Sequence, residues 1–356
     1  MSEPARVRME AVARAAGVSQ SLVSKVLNNR PGVSDATRQR VQQIIAQSGY
    51  QRRPRTRRSG KIEVIFRTMN SAINPLLVRG LARSLEDSGY TFAVTAVGVD
   101  DGAGSVSGAG SVIGTGSISG AGSAGGAGWV DALVRRRPAG AIMSVVSLPA
   151  TVRERFTRAR IPFVVLDTVG DAPADTHAVG STQWRGGYLA TRHLLDLGHR
   201  RIGMISGPLG FACSLARVGG YHAALREAGV PADPVLVRSG VFQTGPGRAL
   251  AHELLALPEP PTAVVAGNDL QALGVIDACY DRQLRVPDDL SVVGYDDQDA
   301  AAVAVPALTT VRQPLADMAE EAGRIVMRQI DRPTPLPIRF DLTAALIHRK
   351  TTAPLP

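Results

Sequence analysis

The chain has 356 residues, 44% of them hydrophobic, so it can bury a sizeable core and is longer than one ordinary domain. Its formal net charge is +9, and the first 61 residues hold 13 of the 40 Lys and Arg but only three acids, so this block sums to +10 and the remainder to −1. No apolar run reaches the roughly 18 residues of a membrane span, and the N-terminus lacks the apolar core of a secretory signal, which excludes a membrane partner and favours a soluble, cytoplasmic protein.

The basic N-terminal block is predicted to contain three short helices. Its apolar residues recur at three- and four-residue spacing in three runs, which extend from Met9 to Ala16, from Leu22 to Leu27 and from Val41 to Ile45. Gly17 suits the left-handed turn that ends the first helix, and Ser19 is expected to cap the second. The block is therefore expected to fold as a small helical bundle.

The second helix of this block is predicted to read DNA. Two short helices joined by a glycine turn, the second presenting polar side chains from its first turns, match the helix-turn-helix that places a recognition helix in the major groove of a double-stranded DNA operator. Gln and Lys can reach base edges there, while Ser and Asn suit phosphate oxygens. The predicted contacts are Ser19, Gln20, Ser21, Ser24, Lys25, Asn28 and Arg30. The alternative is a three-helix bundle with a solvated basic face.

A basic arm follows the bundle over residues 52–61. It reads R-R-P-R-T-R-R-S-G-K, and Pro54 is its one apolar residue. This density of Arg, broken by a proline, predicts a non-helical segment in which Arg52, Arg53 and Arg55 follow phosphates or enter a narrow minor groove. A solvated linker is the alternative.

From residue 62 onward, short apolar runs such as I-E-V-I-F and L-S-V-V-G-Y alternate with helical stretches. Helices are predicted over 76–88, 129–136, 151–158, 186–197, 217–228, 248–257 and 270–282. Two consecutive sets of this alternation predict an α/β body of two doubly wound parallel-sheet lobes behind an all-α head. The expected domains are the head 1–51, the basic linker 52–61 and the body 62–356.

A low-complexity stretch interrupts the first set at residues 102–128. It has no charge, 11 glycines and a rough G-A-G-S repeat. Ordering so many glycines would cost more entropy than its few apolar side chains could offset, so the stretch is predicted to be a flexible insertion in a surface loop. Phosphate binding is not expected there, because no GxxxxGK[ST] motif is present.

Polar and aromatic residues near the carboxyl ends of the predicted strands form a candidate ligand site. In two doubly wound lobes, these ends face a shared cleft. Carboxylates, an amide, a guanidinium and aromatic faces are the groups that hold a sugar, through paired hydrogen bonds and stacking on the ring. The candidates for effector binding are Asp167, Trp184, Arg217, Phe242, Asn268, Asp269 and Asp296, with Arg217 expected to open a helix. A strand-end Asp that only caps a helix is the alternative.

Long runs of the chain resemble the lactose-repressor (LacI/GalR) family of bacterial regulators. They include A-V-A-R-A-A-G-V-S-Q-S-L-V-S-K-V-L-N-N-R-P-G in the head, and H-L-L-D-L-G-H-R-R-I-G-M-I-S-G-P, V-V-A-G-N-D-L-Q-A-L-G, V-V-G-Y-D-D and L-T-T-V-R-Q-P-L in the body. More narrowly, S-T-Q-W-R-G-G together with G-N-D-L-Q-A-L-G and L-T-T-V-R-Q-P-L is similar to actinobacterial regulators of xylose or xyloside utilisation. The sequence departs from the usual family pattern at several points. Leu22 stands where the family usually has Thr, and Gln183 stands where it usually has Asn. The first strand is atypical, and the arm lacks the leucine of the family's hinge helix.

This resemblance implies a body like that of periplasmic binding proteins, in which Asp167, Arg217, Phe242, Asn268 and Asp296 line the effector cleft. It also implies a homodimer, with a tetramer as the alternative. The chain is thus expected to be a transcriptional repressor whose operator binding is controlled by a xylose- or xyloside-like sugar. A sugar-binding protein without a regulatory DNA role and a regulator with a non-sugar effector, such as a nucleobase, are the alternatives.

An enzyme is not expected. The sequence has no nucleophile elbow, no acid and base at a plausible spacing and no dinucleotide fingerprint after a strand. Cys213 and Cys279 have no CxxC spacing and no neighbouring His cluster, so no metal site and no disulfide framework are predicted. No cofactor is predicted.

Overall fold

Two compact units make up the chain, Met1–Arg57 and Arg58–Pro356. The computed structural model describes residues 9–27, 32–48, 60–69, 71–97, 128–144, 148–166, 173–334 and 336–355. Several predicted features lie outside these residues. They are Asn28, Arg30, Arg52, Arg53, Arg55, Asp167, most of the arm and residues 102–127 of the insertion. The side chains of Gln20, Ser21 and Ser24 also lie outside the described part of the chain.

The first unit has the three predicted helices, α1 Met9–Ala16, α2 Gln20–Leu27 and α3 Asp35–Ser48. Gly17 joins α1 to α2 at a φ of +63°, which glycine adopts without steric cost. The hydroxyl of Ser19 accepts a hydrogen bond from the backbone N–H of Leu22, so this serine caps α2 as predicted. The core of the bundle consists of Val12, Ala13, Ala16, Val23, Val26 and Val41.

The second unit contains two six-stranded sheets. The first has the strand order β11-β5-β4-β3-β1-β2, and all of its neighbouring strands pair in parallel. Its strands are β1 Lys61–Phe66, β2 Thr91–Ala96, β3 Gly140–Ser144, β4 Phe163–Leu166, β5 Ala178–Ser181 and β11 Arg339–Leu342. The helices of this lobe are α4 Asn74–Leu85, α5 Gly128–Arg136, α6 Ala150–Arg158 and α12 Leu315–Asp331.

The second sheet has the order β12-β10-β9-β8-β6-β7, in which β12 alone runs antiparallel to its neighbour. Its strands are β6 Ile202–Ser206, β7 Val237–Ser239, β8 Ala263–Ala266, β9 Ser291–Asp296, β10 Thr309–Arg312 and β12 Ala345–Ile347. Its helices are α7 Gln183–Asp196, α8 Ala212–Glu227, α9 Thr244–Leu255, α10 Asp269–Asp281 and α11 Asp299–Val303. Two doubly wound lobes were predicted, and both are present.

The two lobes are not consecutive in the chain, contrary to the sequence-based expectation. The backbone passes between the sheets three times: from β5 to α7, from β10 to α12, and from β11 to β12. Helix α12 returns to the first lobe because it carries a stripe of buried apolar residues that packs on α4 and on β3 to β5. Among the described residues, no helix combines the length and the apolar character needed to cross a membrane.

Several predicted helix boundaries are wrong. Helices α7 and α9 begin at Gln183 and Thr244, three and four residues before the predicted starts, α4 ends at Leu85, three residues before the predicted end, and the start of α8 differs most.

Arg217 was expected to open a helix, but α8 begins five residues earlier, at Ala212. Ser214 in its first turn is fully buried, and Arg217 lies in the second turn on the same buried stripe as Tyr221. Cys213 and Ser214 before Arg217 are both buried, so a weakly apolar run forms a helix here through tertiary packing.

Candidate functional sites

Arg217 is held at the carboxyl ends of β8 and β9. Its side chain is only 6% exposed, and its Nε donates a hydrogen bond of 2.9 Å to Oε1 of Gln183. Its Nη1 donates to the carbonyl of Gly267, directly after β8, and its Nη2 lies 3.7 Å from Oδ1 of Asp296 at the end of β9. The parallel strands bring these groups together, because their carboxyl ends share one edge of the sheet.

Aromatic rings surround this guanidinium. Its Cζ lies 3.7 Å from the ring centroid of Tyr295 and 5.7 Å from that of Phe242, both within the range of a cation–π contact. The ring of Phe211, at the start of α8, lies 6.4 Å from that of Phe242. Arg67, which follows β1 of the other lobe, places its Cζ 5.9 Å from the Phe211 centroid. Aromatic faces therefore line the second lobe where the first lobe approaches it.

Asp296 has an unusual backbone and a satisfied side chain. Its φ is +107°, a value that residues other than glycine rarely adopt. Oδ1 accepts a hydrogen bond of 2.6 Å from Nε2 of Gln313, and Oδ2 accepts one of 3.1 Å from Nε2 of Gln298. The carboxylate is therefore aimed by two amides, next to Arg217.

Asn268 and Asp269 begin α10, at the end of β8. Oδ1 of Asn268 accepts from the backbone N–H of Gln271 at 2.9 Å, so Asn268 caps the helix. Asp269 is fully buried, and its oxygens accept hydrogen bonds from the Gln298 backbone N–H and from the Thr310 hydroxyl. Burial, with the nearby charge of Asp296, raises the pKa of Asp269 to about 8, although these hydrogen bonds oppose the rise. Both oxygens of Asp269 thus face internal partners, and its contact with an effector stays a prediction.

Trp184 lies on the surface formed by α7 and α8. Its side chain is half exposed and stacks on the ring of Tyr188, with the centroids 5.6 Å apart. It adjoins Gln183, which belongs to the Arg217 cluster, but its own described ring contacts are on the helix surface. Its role in ligand binding also stays a prediction.

A hydrogen-bonded group joins the crossovers between the lobes, and the sequence did not single it out. Oε1 of Gln313 accepts from Oγ of Ser181 at 2.6 Å and from Nε2 of Gln183 at 2.7 Å. Gln313 also donates to Asp296, so the crossover from β10 to α12 is tied to the candidate ligand site. The sequence signal that could have identified Gln313 is its position in the L-T-T-V-R-Q-P-L run, between the end of β10 and a proline.

The candidate DNA-reading surface is on α2. Lys25, in the last turn of this helix, is exposed, whereas Val23 and Val26 are buried in the bundle. The helix begins directly after the Gly17 turn and the Ser19 cap. In the described parts of both units, no group of three or more His, Cys, Asp or Glu could hold a metal ion.

Comparison with known proteins matches both units. Residues 8–53 match the family described as bacterial regulatory proteins, lacI family, and residues 191–352 match the periplasmic binding protein-like domain. The ribose operon repressor of Escherichia coli (strain K12) is 31% identical over 349 residues, which cover 96% of this chain and 98% of the relative. The HTH-type transcriptional repressor PurR of Vibrio atlanticus is 28% identical, with 97% and 98% covered. A solved complex of the transcriptional regulator CelR with cellobiose has a TM-score of 0.70 and 28% identity, and the match covers 97% of this chain and 100% of that one.

Proposed function

The chain belongs to the lacI family of bacterial regulatory proteins, which are DNA-binding repressors and not enzymes, and we propose that a small sugar bound between the two lobes of its body controls its affinity for operator DNA. In this proposal, a dimer places two α2 helices about one helical turn apart on a near-palindromic operator. Sugar binding changes the relative orientation of the two lobes, and this change alters the affinity of the dimer for DNA.

The Arg217–Asp296 pair carries the assignment of the effector site. A cation and a carboxylate lie 3.7 Å apart at the strand ends, and the cation rests on the face of Tyr295. Such a pair can give and accept hydrogen bonds on neighbouring hydroxyls, while Phe242 offers an apolar face to the ring of the sugar. Arg67 approaches from the other lobe, so a ligand here would be enclosed by both lobes.

The proposed effector residues are Asp167, Trp184, Arg217, Phe242, Asn268, Asp269 and Asp296. The proposed DNA contacts are those of α2 with the flanking Asn28 and Arg30, and Arg52, Arg53 and Arg55 of the arm. We place the head at 1–51, the linker at 52–61 and the body at 62–356, with 102–128 as an insertion. The body is proposed to dimerise.

We propose a pentose such as D-xylose, or a xyloside, as the effector. The similarity to a ribose operon repressor and to the CelR–cellobiose complex favours a sugar over other small molecules. The runs S-T-Q-W-R-G-G and L-T-T-V-R-Q-P-L support the narrower choice of a xylose-type ligand. A nucleobase is the second candidate, because Arg217 and two aromatic rings could also hold a planar heterocycle.

Selection of binding sites from random duplex DNA tests the proposal. The full chain is expected to enrich a near-palindromic operator, and D-xylose, xylobiose, D-ribose or cellobiose is expected to change operator affinity at least tenfold, a coupling of about 1.4 kcal/mol. Hypoxanthine tests the nucleobase candidate. No enrichment of any sequence would contradict the DNA-binding function, whereas enrichment without a response to any sugar would contradict the effector class.

Lys25→Ala is expected to weaken binding to the selected operator by about 10- to 100-fold, because a base-edge contact is worth about 1–3 kcal/mol. Binding to random duplex should fall only a few-fold, since one phosphate charge at most is lost. Both affinities can be measured by fluorescence anisotropy at one salt concentration. Arg40→Ala, an exposed cation on α3, is the matched control and should affect both DNAs equally. Equal losses for Lys25→Ala would contradict base reading by this helix.

A further inference from the structure

Two consecutive aspartates at the end of β9 have left-handed backbones. Asp296 has a φ of +107° and Asp297 a φ of +58°. A backbone in this region is unfavourable for a residue with a side chain, and it persists only where surrounding contacts hold it. The strain lies at the residue whose carboxylate sits beside Arg217, so the contacts that hold it bear on the candidate effector site.

Asp297 forms an ion triad that places its buried carboxylate between two arginines, of which Arg349 is mostly buried and Arg312 is 55% exposed. Its side chain is 7% exposed, and its Oδ2 accepts a hydrogen bond of 2.6 Å from Nε of Arg312. Its Oδ1 accepts one of the same length from Nη2 of Arg349, whose side chain is 17% exposed. Arg349 also donates through Nη1 to the carbonyl of Leu308 at 2.8 Å. The bond from Arg349, which has little solvent around it, is stronger than an exposed ion pair, whereas the exposed guanidinium of Arg312 contributes less.

The triad is in register with the contacts of Asp296. Arg312 is the residue of β10 that pairs with Asp296 across the sheet, and Gln313 follows it directly. Gln313 donates to the Asp296 carboxylate, while Arg312 binds the Asp297 carboxylate. Two adjacent carboxylates are thus held by two adjacent residues of a crossover between the lobes. A change of backbone at 296 would have to break one of these paired contacts.

We propose that Asp297 is a positioning residue for effector binding: through Arg312 and Arg349, it holds the left-handed backbone that aims the Asp296 carboxylate at Arg217. This role rests on the proposed function of Asp296 as an effector ligand. A merely structural role for the triad would be to fasten the segment around Arg349 to the sheet, and it would not require the conformation of residue 296 to depend on Asp297.

Crystal structures of the full chain without ligand, unaltered and with Asp297→Asn, test the proposal. Asparagine keeps the size of the side chain and tolerates a left-handed backbone, so the variant removes the charge and one of the two acceptor oxygens that bind Arg312 and Arg349. We expect φ of residue 296 to leave the left-handed region and the Arg217 Nη2 to Asp296 Oδ1 distance to grow by about 1 Å or more. Arg349→Gln removes one cationic partner of Asp297 without altering residues 296 and 297. This variant replaces Asp297→Asn in the test if Asp297→Asn fails to fold. An unchanged backbone in the variant would overturn the proposal.

Titration with D-xylose, xylobiose, D-ribose, cellobiose and hypoxanthine gives the second readout. Any of them that binds the unaltered chain should bind the Asp297→Asn variant about tenfold more weakly, as for other residues that orient a ligand-binding group. Asp299→Asn is the control, since its side chain is 88% exposed. If no probe binds the unaltered chain but the backbone at 296 relaxes in the variant, the positioning role holds and the effector assignment falls. If a probe binds both equally, the positioning role falls and the effector assignment holds.

Discussion

Replacing Arg217 with methionine is expected to abolish the response to the effector while operator binding without effector stays within about threefold of the unaltered chain. Methionine fills much of the space of the arginine stem but donates no hydrogen bond. The change removes the donors to Gln183 and Gly267 and leaves the buried Asp296 carboxylate without its cation. Removing one partner of a buried, hydrogen-bonded charge pair in a binding site costs about 2–5 kcal/mol of binding free energy, so effector affinity should fall by roughly 30-fold or more.

The protein–operator complex is titrated with the sugar that changes the operator affinity of the unaltered chain. Thermal unfolding of each variant is measured in parallel. Arg248→Met is the matched control, because Arg248 forms a two-hydrogen-bond pair with Asp281 on an exposed helix surface. It should leave the effector response and the thermal midpoint nearly unchanged, because exposed ion pairs contribute little to stability. Arg217→Lys should be intermediate, since lysine keeps the charge but not the planar fork. A normal response of Arg217→Met would remove Arg217 from the effector site.

Under the proposed function, a ligand at Asp296 would act on the contacts between the crossovers of the body. Gln313 accepts hydrogen bonds from Ser181 and Gln183 on one crossover, lies itself on a second, and donates to Asp296. A ligand hydroxyl that competed for Asp296 would weaken the Gln313 contact and so alter the bonds between two crossovers. Rigid lobes joined at such points convert a small local change into a rotation of one lobe against the other.

How far the sequence predicted this structure depends on whether the signal is local. The turn at Gly17, the cap at Ser19 and the apolar stripes of the head are local, and the bundle follows them. The predicted proximity of Arg217 and Asp296 is confirmed, because an apolar run marks the strand that ends at Asp296, while their contact with an effector stays a prediction.

The remaining features depend on contacts distant in sequence. Helix α12 shows a clear apolar period, but only the packed structure reveals that it covers the first lobe. Asp269 follows a strand just as Asp296 follows one, yet its oxygens face Gln298 and Thr310, which lie 29 and 41 residues further on. No pattern around Asp269 distinguishes an inward carboxylate from one that meets a ligand.

Alanine at Gly187 or Gly220 is expected to lower the thermal midpoint of the body by about 6–12 °C, from a loss of about 3 kcal/mol or more. Helices α7 and α8 pack backbone to backbone at these glycines. A Cβ at Gly187 would lie 2.1 Å from the Arg217 carbonyl oxygen, and one at Gly220 would lie 2.1 Å from the Trp184 carbonyl oxygen. Neither oxygen can rotate away, since each belongs to a helix backbone, so the helices must separate and expose buried surface.

Differential scanning calorimetry of the full chain measures this effect, and Gly245→Ala provides the control. Gly245 is also helical, in α9, but a Cβ there meets nothing within 4 Å, so alanine should be neutral or stabilising by up to about 1 kcal/mol. The Gly187→Ala variant should also lose effector affinity, because the helix that moves carries Arg217. A midpoint within about 2 °C of the unaltered chain for both glycine variants would show that α7 and α8 can separate at little cost, and would contradict the close packing on which the position of Arg217 depends.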